Sequence, residues 1–308
     1  NEQAEGQIWY NSTSNVFKDL IASEAWSSGA NMISAKRFLG GAGTQTSALA
    51  FGGQPSPTNP TEEYNGSGWS AGGDLNTARK YLAGCGTQTA GLGFGGNSTA
   101  VTGDTEEYNG STWSEQNNLN TARAYLAGMG IQTAGLAAGG RDGPGALQAT
   151  TEEYDGTSWT EQNDMSTARR FLGGAGTQTA GLVFGGGTPN SDLTEEYDGT
   201  SWTAGGTMNT ARRYLSGFGI QTSAIAFGGG TAVPVVALTT TEQYDGSTWT
   251  TLSASLATAR GGSAGAGTTT AGLAIGGFNP DFGTAISNTE EYNKSANVIT
   301  GAAWSAGG

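Results

Sequence analysis

One copy of a repeated unit occupies residues 79–113 and reads RKYLAGCGTQTAGLGFGGNSTAVTGDTEEYNGSTW. The unit begins with an arginine, passes through small residues to a glycine pair, and ends with a Glu-Glu-Tyr segment followed by a tryptophan. The same order of residues occurs six times in the 308-residue chain. Internal repeats of this length are typical of propellers and repeat arrays, so the repeat decides the fold before any single element does.

The landmark residues of the six copies are regularly spaced along the chain. The arginines are Arg37, Arg79, Arg123, Arg169, Arg212 and Arg260. The tyrosines are Tyr64, Tyr108, Tyr154, Tyr197, Tyr244 and Tyr292. The tryptophans that follow them are Trp69, Trp113, Trp159, Trp202, Trp249 and Trp304.

Each unit predicts four short strands. Large and small side chains alternate in residues 91–94, which is the period of a strand. Small residues suit an inner strand near a central axis, and the Leu, Phe, Tyr and Trp side chains suit wedges between blades. Asn109-Gly110 predicts a two-residue hairpin turn with two positive φ angles. We therefore predict an all-β, six-bladed propeller with four antiparallel strands per blade.

At these landmarks the chain resembles the Kelch-repeat family. The shared features are an apolar stretch ending in Gly-Gly, a Glu-containing strand ending in Tyr-Asp or Tyr-Asn, a tryptophan, and an arginine before the next unit. The repeats Thr-Ala-Arg and Gly-Thr-Gln-Thr-Ala-Gly-Leu also resemble Kelch-type proteins of bacteriophages, especially marine ones. The resemblance covers residues 30–308 and implies the propeller fold, but it implies little about activity.

The first thirty residues depart from the repeat. Residues 6–11, Gly-Gln-Ile-Trp-Tyr-Asn, resemble short β-modules of phage tail fibres. We expect residues 1–30 to form a hairpin-like segment and residues 31–308 to form the propeller. The segment has two possible roles. The favoured one is an appendage for attachment or for homo-oligomer formation; in the other, the strand of Trp26 closes the ring by pairing with the last blade. The start at Asn1 suggests a piece of a longer chain.

Composition excludes several classes of function. The chain has no histidine, one cysteine and a formal net charge of −13. Histidine-dependent triads, His-ligated metal sites and the copper site of Kelch-fold galactose oxidase are therefore excluded. The acidic charge argues against a nucleic-acid partner, and no apolar run is long enough to enter a membrane. We expect no cofactor and no metal, and we expect Cys85 to be a packing residue.

The paired glutamates, such as Glu106-Glu107, invite a catalytic interpretation. Adjacent strand residues point to opposite faces, so the two carboxylates cannot converge on one substrate. We expect instead that the six arginines and six tryptophans have structural roles. One glutamate of each pair should form a bidentate ion pair with an arginine, while the other faces solvent or the neighbouring strand. We therefore predict that the protein is not an enzyme.

The segments between each glycine pair and its glutamate strand vary, whereas the rest of the unit repeats. These loops are residues 54–60, 97–104, 141–150, 187–193, 230–240 and 278–288. We expect them to gather on one face beside the Thr-Ala-Arg loops, either as a binding surface or as unconstrained tips. Exposed apolar residues at Phe278, Phe282 and residues 235–236 favour binding. The candidate binding residues are Arg141, Asp142, Val235, Val236, Phe278, Asn279, Asp281 and Phe282.

These observations favour a bacteriophage virion protein with a structural or adhesive role. Its variable loops would bind host-surface glycans or proteins, or a neighbouring virion protein. The alternative is a free-standing extracellular lectin or scaffold. An acidic chain rich in Asn, Ser, Thr and Gly suits a virion or extracellular location.

Overall fold

The computed structural model describes residues 8–11, 16–187, 189–231, 235–279 and 283–300. For residues 8–11, 16–22 and 296–300 it describes the backbone but not the side chains. The described chain forms six antiparallel sheets and contains no helix, which confirms the predicted all-β, six-bladed propeller. Within these ranges we find no helical segment with the length and apolar character needed to span a membrane.

Four strands form each of the first five blades, with one additional short strand in the fifth. Two strands precede the repeats, β1 (Ile8–Asn11) and β2 (Val16–Ser28). Blade 1 holds β3 (Gly40–Thr44), β4 (Ser47–Phe51), β5 (Thr61–Tyr64) and β6 (Trp69–Ala71). Blade 2 holds β7 (Ala83–Thr87), β8 (Ala90–Phe94), β9 (Thr105–Tyr108) and β10 (Trp113–Gln116). Blade 3 holds β11 (Ala127–Ile131), β12 (Ala134–Ala138), β13 (Thr151–Tyr154) and β14 (Trp159–Gln162). Blade 4 holds β15 (Gly173–Gly176), β16 (Gly181–Phe184), β17 (Thr194–Tyr197) and β18 (Trp202–Ala204). Blade 5 holds β19 (Arg213–Ile220), β20 (Ser223–Thr231), β21 (Val236–Ala237), β22 (Thr241–Tyr244) and β23 (Trp249–Thr251).

The last blade is completed by the start of the chain. It holds β24 (Ala264–Thr268), β25 (Ala271–Ile275) and β26 (Thr289–Thr300), and β2 pairs with the outer side of β26. Trp26 lies opposite Tyr292, in the register that Trp113 has with Tyr108 in blade 2. The backbones of β2 and β26 stay paired as far as Lys18 and Thr300, and β1 pairs with β2.

Trp26 therefore has the ring-closing role and not that of an appendage. Its indole nitrogen donates a hydrogen bond of 2.9 Å to the hydroxyl of Thr241 in blade 5. Trp113 makes the same bond to Thr61 of blade 1, also at 2.9 Å. The expectation that Trp304 would be the sixth blade tryptophan is wrong for this position, because Trp26 occupies it; Trp304 itself lies outside the described residues.

Apolar side chains fill the wedges between blades, as the sequence predicts. Between blades 2 and 3, Phe94 packs on Trp159 with ring centroids 4.8 Å apart. Cys85 and Leu92 are buried in the same cluster as Tyr154. Burial raises the pKa of the Cys85 thiol to about 12, so this cysteine is a packing residue and not a thiolate nucleophile.

The turn at Asn109-Gly110 differs from the predicted two-residue hairpin. Tyr108 pairs with Trp113, so four residues form the loop. The Asn109 side-chain oxygen accepts hydrogen bonds of 3.0 Å from the backbone nitrogens of Ser111 and Thr112. Gly110 has a φ of 91°. An asparagine or aspartate that accepts from its own loop stabilises this longer turn, so a second positive φ is not needed.

The glycine pair allows two backbones to approach closely. In blade 2, Gly95 and Gly96 have φ angles of 64° and 103°. A Cβ on Gly95 would lie 2.6 Å from the carbonyl oxygen of Arg123, in the loop that leads to blade 3. The pair therefore sits where consecutive blades meet, and only glycine satisfies both the conformation and the space.

Candidate functional site

A buried arginine joins each linking loop to the blade that follows it. Arg123 Nη2 lies 2.9 Å from Glu152 Oε1, and both side chains are fully buried. Arg123 Nη1 donates to the carbonyl oxygens of Gly139 at 2.9 Å and Thr150 at 2.5 Å. The other carboxylate oxygen of Glu152 accepts from the backbone nitrogen of Asn120 at 2.7 Å. The expected bidentate ion pair is therefore wrong, because the second nitrogen of the guanidinium binds backbone carbonyls.

The same ion pair occurs at every blade. The other pairs are Lys36–Glu62, Arg79–Glu106, Arg169–Glu195, Arg212–Glu242 and Arg260–Glu290. Blade 1 departs from the expected pattern, since Lys36 takes the position predicted for Arg37. Arg37 Nε donates instead to Gln54 Oε1 at 2.8 Å. A one-residue offset changes the side of the backbone from which the side chain emerges.

The second glutamate of each pair has a role that the sequence analysis missed. The Tyr154 hydroxyl donates to Glu107 Oε1 of the preceding blade at 3.0 Å. Equivalent bonds join Tyr108 to Glu63, Tyr197 to Glu153, Tyr244 to Glu196 and Tyr64 to Glu291. Desolvation of the tyrosine, together with the hydrogen bond to the carboxylate, raises the pKa of Tyr108 to about 12. The strict Glu-Glu-Tyr order was the available signal.

The junction between blades 5 and 6 is built differently. Gln243 stands where the other blades have the second glutamate. Lys294 Nζ donates to the Gln243 side chain at 3.1 Å and lies 2.8 Å from Glu24 Oε1. This lysine therefore links β26 to blade 5 and to β2, at the junction where the two ends of the chain meet.

A ring of aromatic residues surrounds one end of the central axis. The aromatic residue stands two positions after the ion-pairing cation of each of the first five blades. The members are Phe38, Tyr81, Tyr125, Phe171 and Tyr214, all with φ angles between 55° and 62°. Ring centroids of successive members lie 4.1 to 4.9 Å apart. Positive φ is strained for such residues, and such strain clusters at sites where function requires a fixed geometry.

Backbone hydrogen bonds close this ring. The nitrogen of each aromatic residue donates to the carbonyl oxygen of its equivalent in the preceding blade, for example Tyr125 to Tyr81 at 2.9 Å. Gly262 holds the sixth position, since its nitrogen donates to Tyr214 at 2.8 Å and its oxygen accepts from Phe38 at 2.6 Å. The positive φ angles aim one donor and one acceptor of each residue along the ring, which explains how the strain is stabilised.

Phe278 supplies the aromatic side chain that Gly262 lacks. Its ring centroid lies 5.6 Å from that of Phe38 and 5.8 Å from that of Tyr214. A Cβ on Gly262 would lie 2.6 Å from the Phe38 ring. Phe278 is fully buried, so the expectation that it is exposed on a loop tip is wrong. Its position directly after a glycine pair places it against Gly261 and hence at the axis.

Five cations lie over the side chains of this circle of aromatic residues. We call Arg37, Lys80, Arg141, Arg170 and Arg213 the axial basic cluster. The Arg170 guanidinium carbon is 4.7 Å from the Phe171 ring centroid and 5.9 Å from that of Tyr125. Arg213 is 5.3 Å from Tyr214, and Lys80 Nζ is 5.4 Å from Tyr81. Arg141 and Arg37 lie 5.9 Å and 5.8 Å from the rings of Tyr125 and Phe38.

The remaining candidate binding residues lie in different surroundings. Asp142 accepts from the backbone nitrogens of Gly145 and Ala146, so its carboxylate holds its own loop. Val235 is half-buried against the cluster that contains Phe278, whereas Val236 is 53% exposed. The Asn279 nitrogen donates to Thr284. Asp281 and Phe282 lie outside the described residues.

The central axis is hollow where the five aromatic residues surround it. A cavity of about 150 Å³ lies against the inner strands; glycine, alanine, leucine and serine residues line it together with the five aromatic residues. The residues that the structure describes contain no cluster of three or more Asp, Glu, Cys or His side chains able to hold a metal ion. The chemical character of the axial end therefore comes from the cations and the aromatic rings.

Comparison with known proteins supports the fold. The chain is similar to a solved structure titled "Structure of YjhT", with a TM-score of 0.73 and 12% sequence identity; the match covers 86% of this chain and 98% of that chain. No protein-family model matches the chain, and no curated protein matches it. At this identity the similarity concerns the propeller architecture.

Proposed function

We propose that this protein is a Kelch-type propeller without enzymatic activity, an adhesive or structural part of a bacteriophage virion. Its loop face, defined as the loops after the glycine pairs together with the axial basic cluster, binds host-surface glycans or a neighbouring virion protein. The observation that carries the proposal is the contrast between junctions that repeat with few changes and varied loops on one face. The loops start beside the cluster, as the backbone pairing of Lys80 with Asn97 and of Ala124 with Arg141 illustrates.

The use of the carboxylates supports a binding role over a catalytic one. The first glutamate of each pair is buried in an ion pair with a cation, as Glu152 is with Arg123. The second accepts a tyrosine hydroxyl in the blades that retain it, as Glu107 does. General acid–base chemistry needs carboxylates that reach a substrate, and these are engaged in the scaffold.

Loop replacement tests the proposal. Residues 97–104, 187–193 and 230–240 contribute no member to the axial basic cluster, so each can be replaced by the short loop of residues 54–60 while the cluster is retained. We expect binding to host cells or to the virion partner to be strongly weakened while the melting temperature stays within a few degrees of the original. Unchanged binding by the triple replacement would contradict the part of the proposal that assigns binding to the varied loops.

The ring-closing position of Trp26 favours a second candidate, the free-standing extracellular lectin or scaffold. In that case residues 1–22 serve the fold and not attachment. Deletion of residues 1–22 retains Trp26 and the part of β2 that lies beside blade 6. Loss of incorporation into particles with unchanged folding supports the virion role, whereas loss of folding supports the free-standing protein.

A further inference from the structure

The distribution of cations is uneven in this acidic protein. The chain has 13 Lys and Arg residues against 26 Asp and Glu. Six of these cations form the buried ion pairs of the blades. Lys294 pairs with Glu24, and Lys18 lies in the segment whose side chains are not described. All the others are the members of the axial basic cluster. The cations of described position outside these glutamate pairs therefore all lie at one end of the axis.

Four members of the cluster have no neutralising carboxylate among the described residues. Among the described residues, no carboxylate oxygen lies within ion-pair distance of Lys80, Arg141, Arg170 or Arg213. Arg213 is 8% exposed, and its buried Nε has no hydrogen-bond partner among these residues; the same holds for the Nε of Arg170. A buried guanidinium nitrogen without an acceptor costs free energy, and an arriving anion would supply the acceptor.

Loop residues complete the cluster where the repeat leaves gaps. Blades 1, 2, 4 and 5 have a second cation directly after the ion-pairing one, but blade 3 has Ala124 there. Arg141 pairs with Ala124 across the backbone and brings its guanidinium to the Tyr125 ring. In the same way Phe278, the equivalent residue of the last loop, pairs with Gly261 and fills the aromatic position. Two different loops therefore supply what the repeat lacks: one brings the missing cation and the other brings the missing aromatic side chain.

We propose that the axial basic cluster is a binding site for a compact oxyanion, the carboxylate or sulfate of an acidic sugar. The proposal rests on the proposed function and specifies the class of glycan. Cations over successive rings of a closed circle are gathered at one end of the axis, which suits a single acidic group. A net charge of −13 repels an extended polyanion elsewhere on the surface, so a long anionic chain is disfavoured. Guanidinium groups bind carboxylate and sulfate oxygens with directed hydrogen bonds.

Calorimetric titration of the full chain tests the site. The probes are glucuronic acid and galactose 6-sulfate, with glucose as the neutral analogue and sodium acetate and sodium sulfate as free anions. We expect the acidic sugars to bind and glucose not to bind. Raising the salt concentration from 50 to 500 mM should weaken binding several-fold, because the Debye length shortens from more than 10 Å to a few ångströms.

Matched variants assign the binding to the cluster. Arg170→Gln and Lys80→Gln should each weaken binding of the acidic sugars about tenfold, the loss expected for one charged hydrogen bond. Lys294→Gln removes a cation that is already paired with Glu24, and it should leave binding unchanged. Thermal melting of each variant verifies that the propeller is folded.

Several outcomes would overturn the proposal without touching the proposed function. These are equal binding of glucose, equal loss of affinity in Lys294→Gln, or no binding of either acidic sugar by a protein that still binds host cells. If acetate or sulfate alone binds as tightly as the acidic sugars, the site does not recognise the sugar. If a short polyglutamate peptide binds more tightly, the ligand is an acidic protein. If cell binding is also absent, the proposed function fails as well.

Discussion

Arg79 and Lys80 are consecutive residues of the same charge, yet they belong to two regions with opposite electrostatics. Arg79 is fully buried, 2.8 Å from Glu106, and donates to two carbonyl oxygens of blade 2. Lys80 is half-buried at the axial end, 5.4 Å above the Tyr81 ring. In extended backbone, neighbouring side chains point to opposite sides, so adjacent residues serve different regions. The first cation holds the blade junctions, and the second lies over an aromatic ring with no ion-pair partner among the described residues.

The largest effect is expected from the junction cation. Arg123→Met leaves Glu152 charged and buried without its ion-pair partner, so the free energy of unfolding should fall by about 3–5 kcal/mol. Urea denaturation measures this loss. The double variant Arg123→Met/Glu152→Met removes both charges and should recover part of it; the carbonyl oxygens of Gly139 and Thr150 still lack their donor. A loss under about 1 kcal/mol in the single variant would show that the junction does not depend on the pair.

The closing junction should resemble the other junctions in energy. Trp26→Ala removes the ring that packs on Phe227 with centroids 5.2 Å apart and the bond to Thr241. We expect a loss of about 3 kcal/mol, comparable with that of Trp113→Ala, because both substitutions leave a cavity in a blade wedge. Parallel melting curves of the two variants provide the measurement. If Trp113→Ala lowers the melting temperature and Trp26→Ala leaves it unchanged, residues 1–30 lie outside the ring.

Alkaline pH should weaken the junctions between the blades. Burial and the nearby glutamates raise the pKa of Tyr64, Tyr108 and Tyr244 to about 12, above the ordinary value of 10. The unfolded chain loses these protons from about pH 10, while the folded chain keeps them. The contribution of these tyrosines to the free energy of unfolding should therefore be constant below about pH 10 and should fall between about pH 10 and 12.

Tyr108→Phe tests this pH dependence. It should cost about 1 kcal/mol at pH 7, the value of one hydrogen bond, and should make the fall in the free energy of unfolding above pH 10 less steep. Urea denaturation at several pH values measures both effects. An unaltered slope in Tyr108→Phe would mean that this tyrosine does not carry the effect.

The smallest effect on stability is expected in the axial basic cluster. Lys80→Met should change the free energy of unfolding by no more than about 0.5 kcal/mol, because the lysine has no ion-pair partner among the described residues. If the free energy of unfolding changes at all, we expect it to rise slightly, because one of several like charges is removed. Urea denaturation beside Arg123→Met gives the comparison directly. A loss of more than 1 kcal/mol would assign this cluster to the scaffold.

Much of the fold was predictable because its signals are local and repeated. Six copies of one pattern were sufficient for the number of blades and for the wedge residues. Two errors concerned repeated features, the turn at Asn109-Gly110 and the bidentate ion pair, and the others fell where the pattern changes once. Phe278 was expected on the surface, since nothing local shows that Gly262 leaves an empty position beside it. Lys36 and Arg37 are adjacent cations, and the tyrosine and tryptophan landmarks do not specify which of them faces Glu62.

The candidate site was only partly visible in the sequence. Arg141 was singled out as a loop residue. That it lies at one end of the axis with Tyr125, Arg170 and Arg213 could not be predicted, because these residues come from blades that meet only at the central axis. The aromatic residues follow the ion-pairing cations at a constant distance, and this was a usable signal. Their strained φ angles and their ring of hydrogen bonds involve partners roughly forty residues away, so they appear only in the folded chain.

The amino-acid sequence alone determined that the chain is an all-β array of six similar units, because strand period, glycine pairs and aromatic landmarks are properties of short segments. Tertiary structure decided how the array closes and which charges remain available. Closure depends on β2 meeting β26, and their paired residues are 262 to 282 positions apart in sequence, from Ser28 with Glu290 to Lys18 with Thr300. The availability of a cation depends on which carboxylates reach it, and that is decided by the packing of neighbouring blades and not by the order of residues.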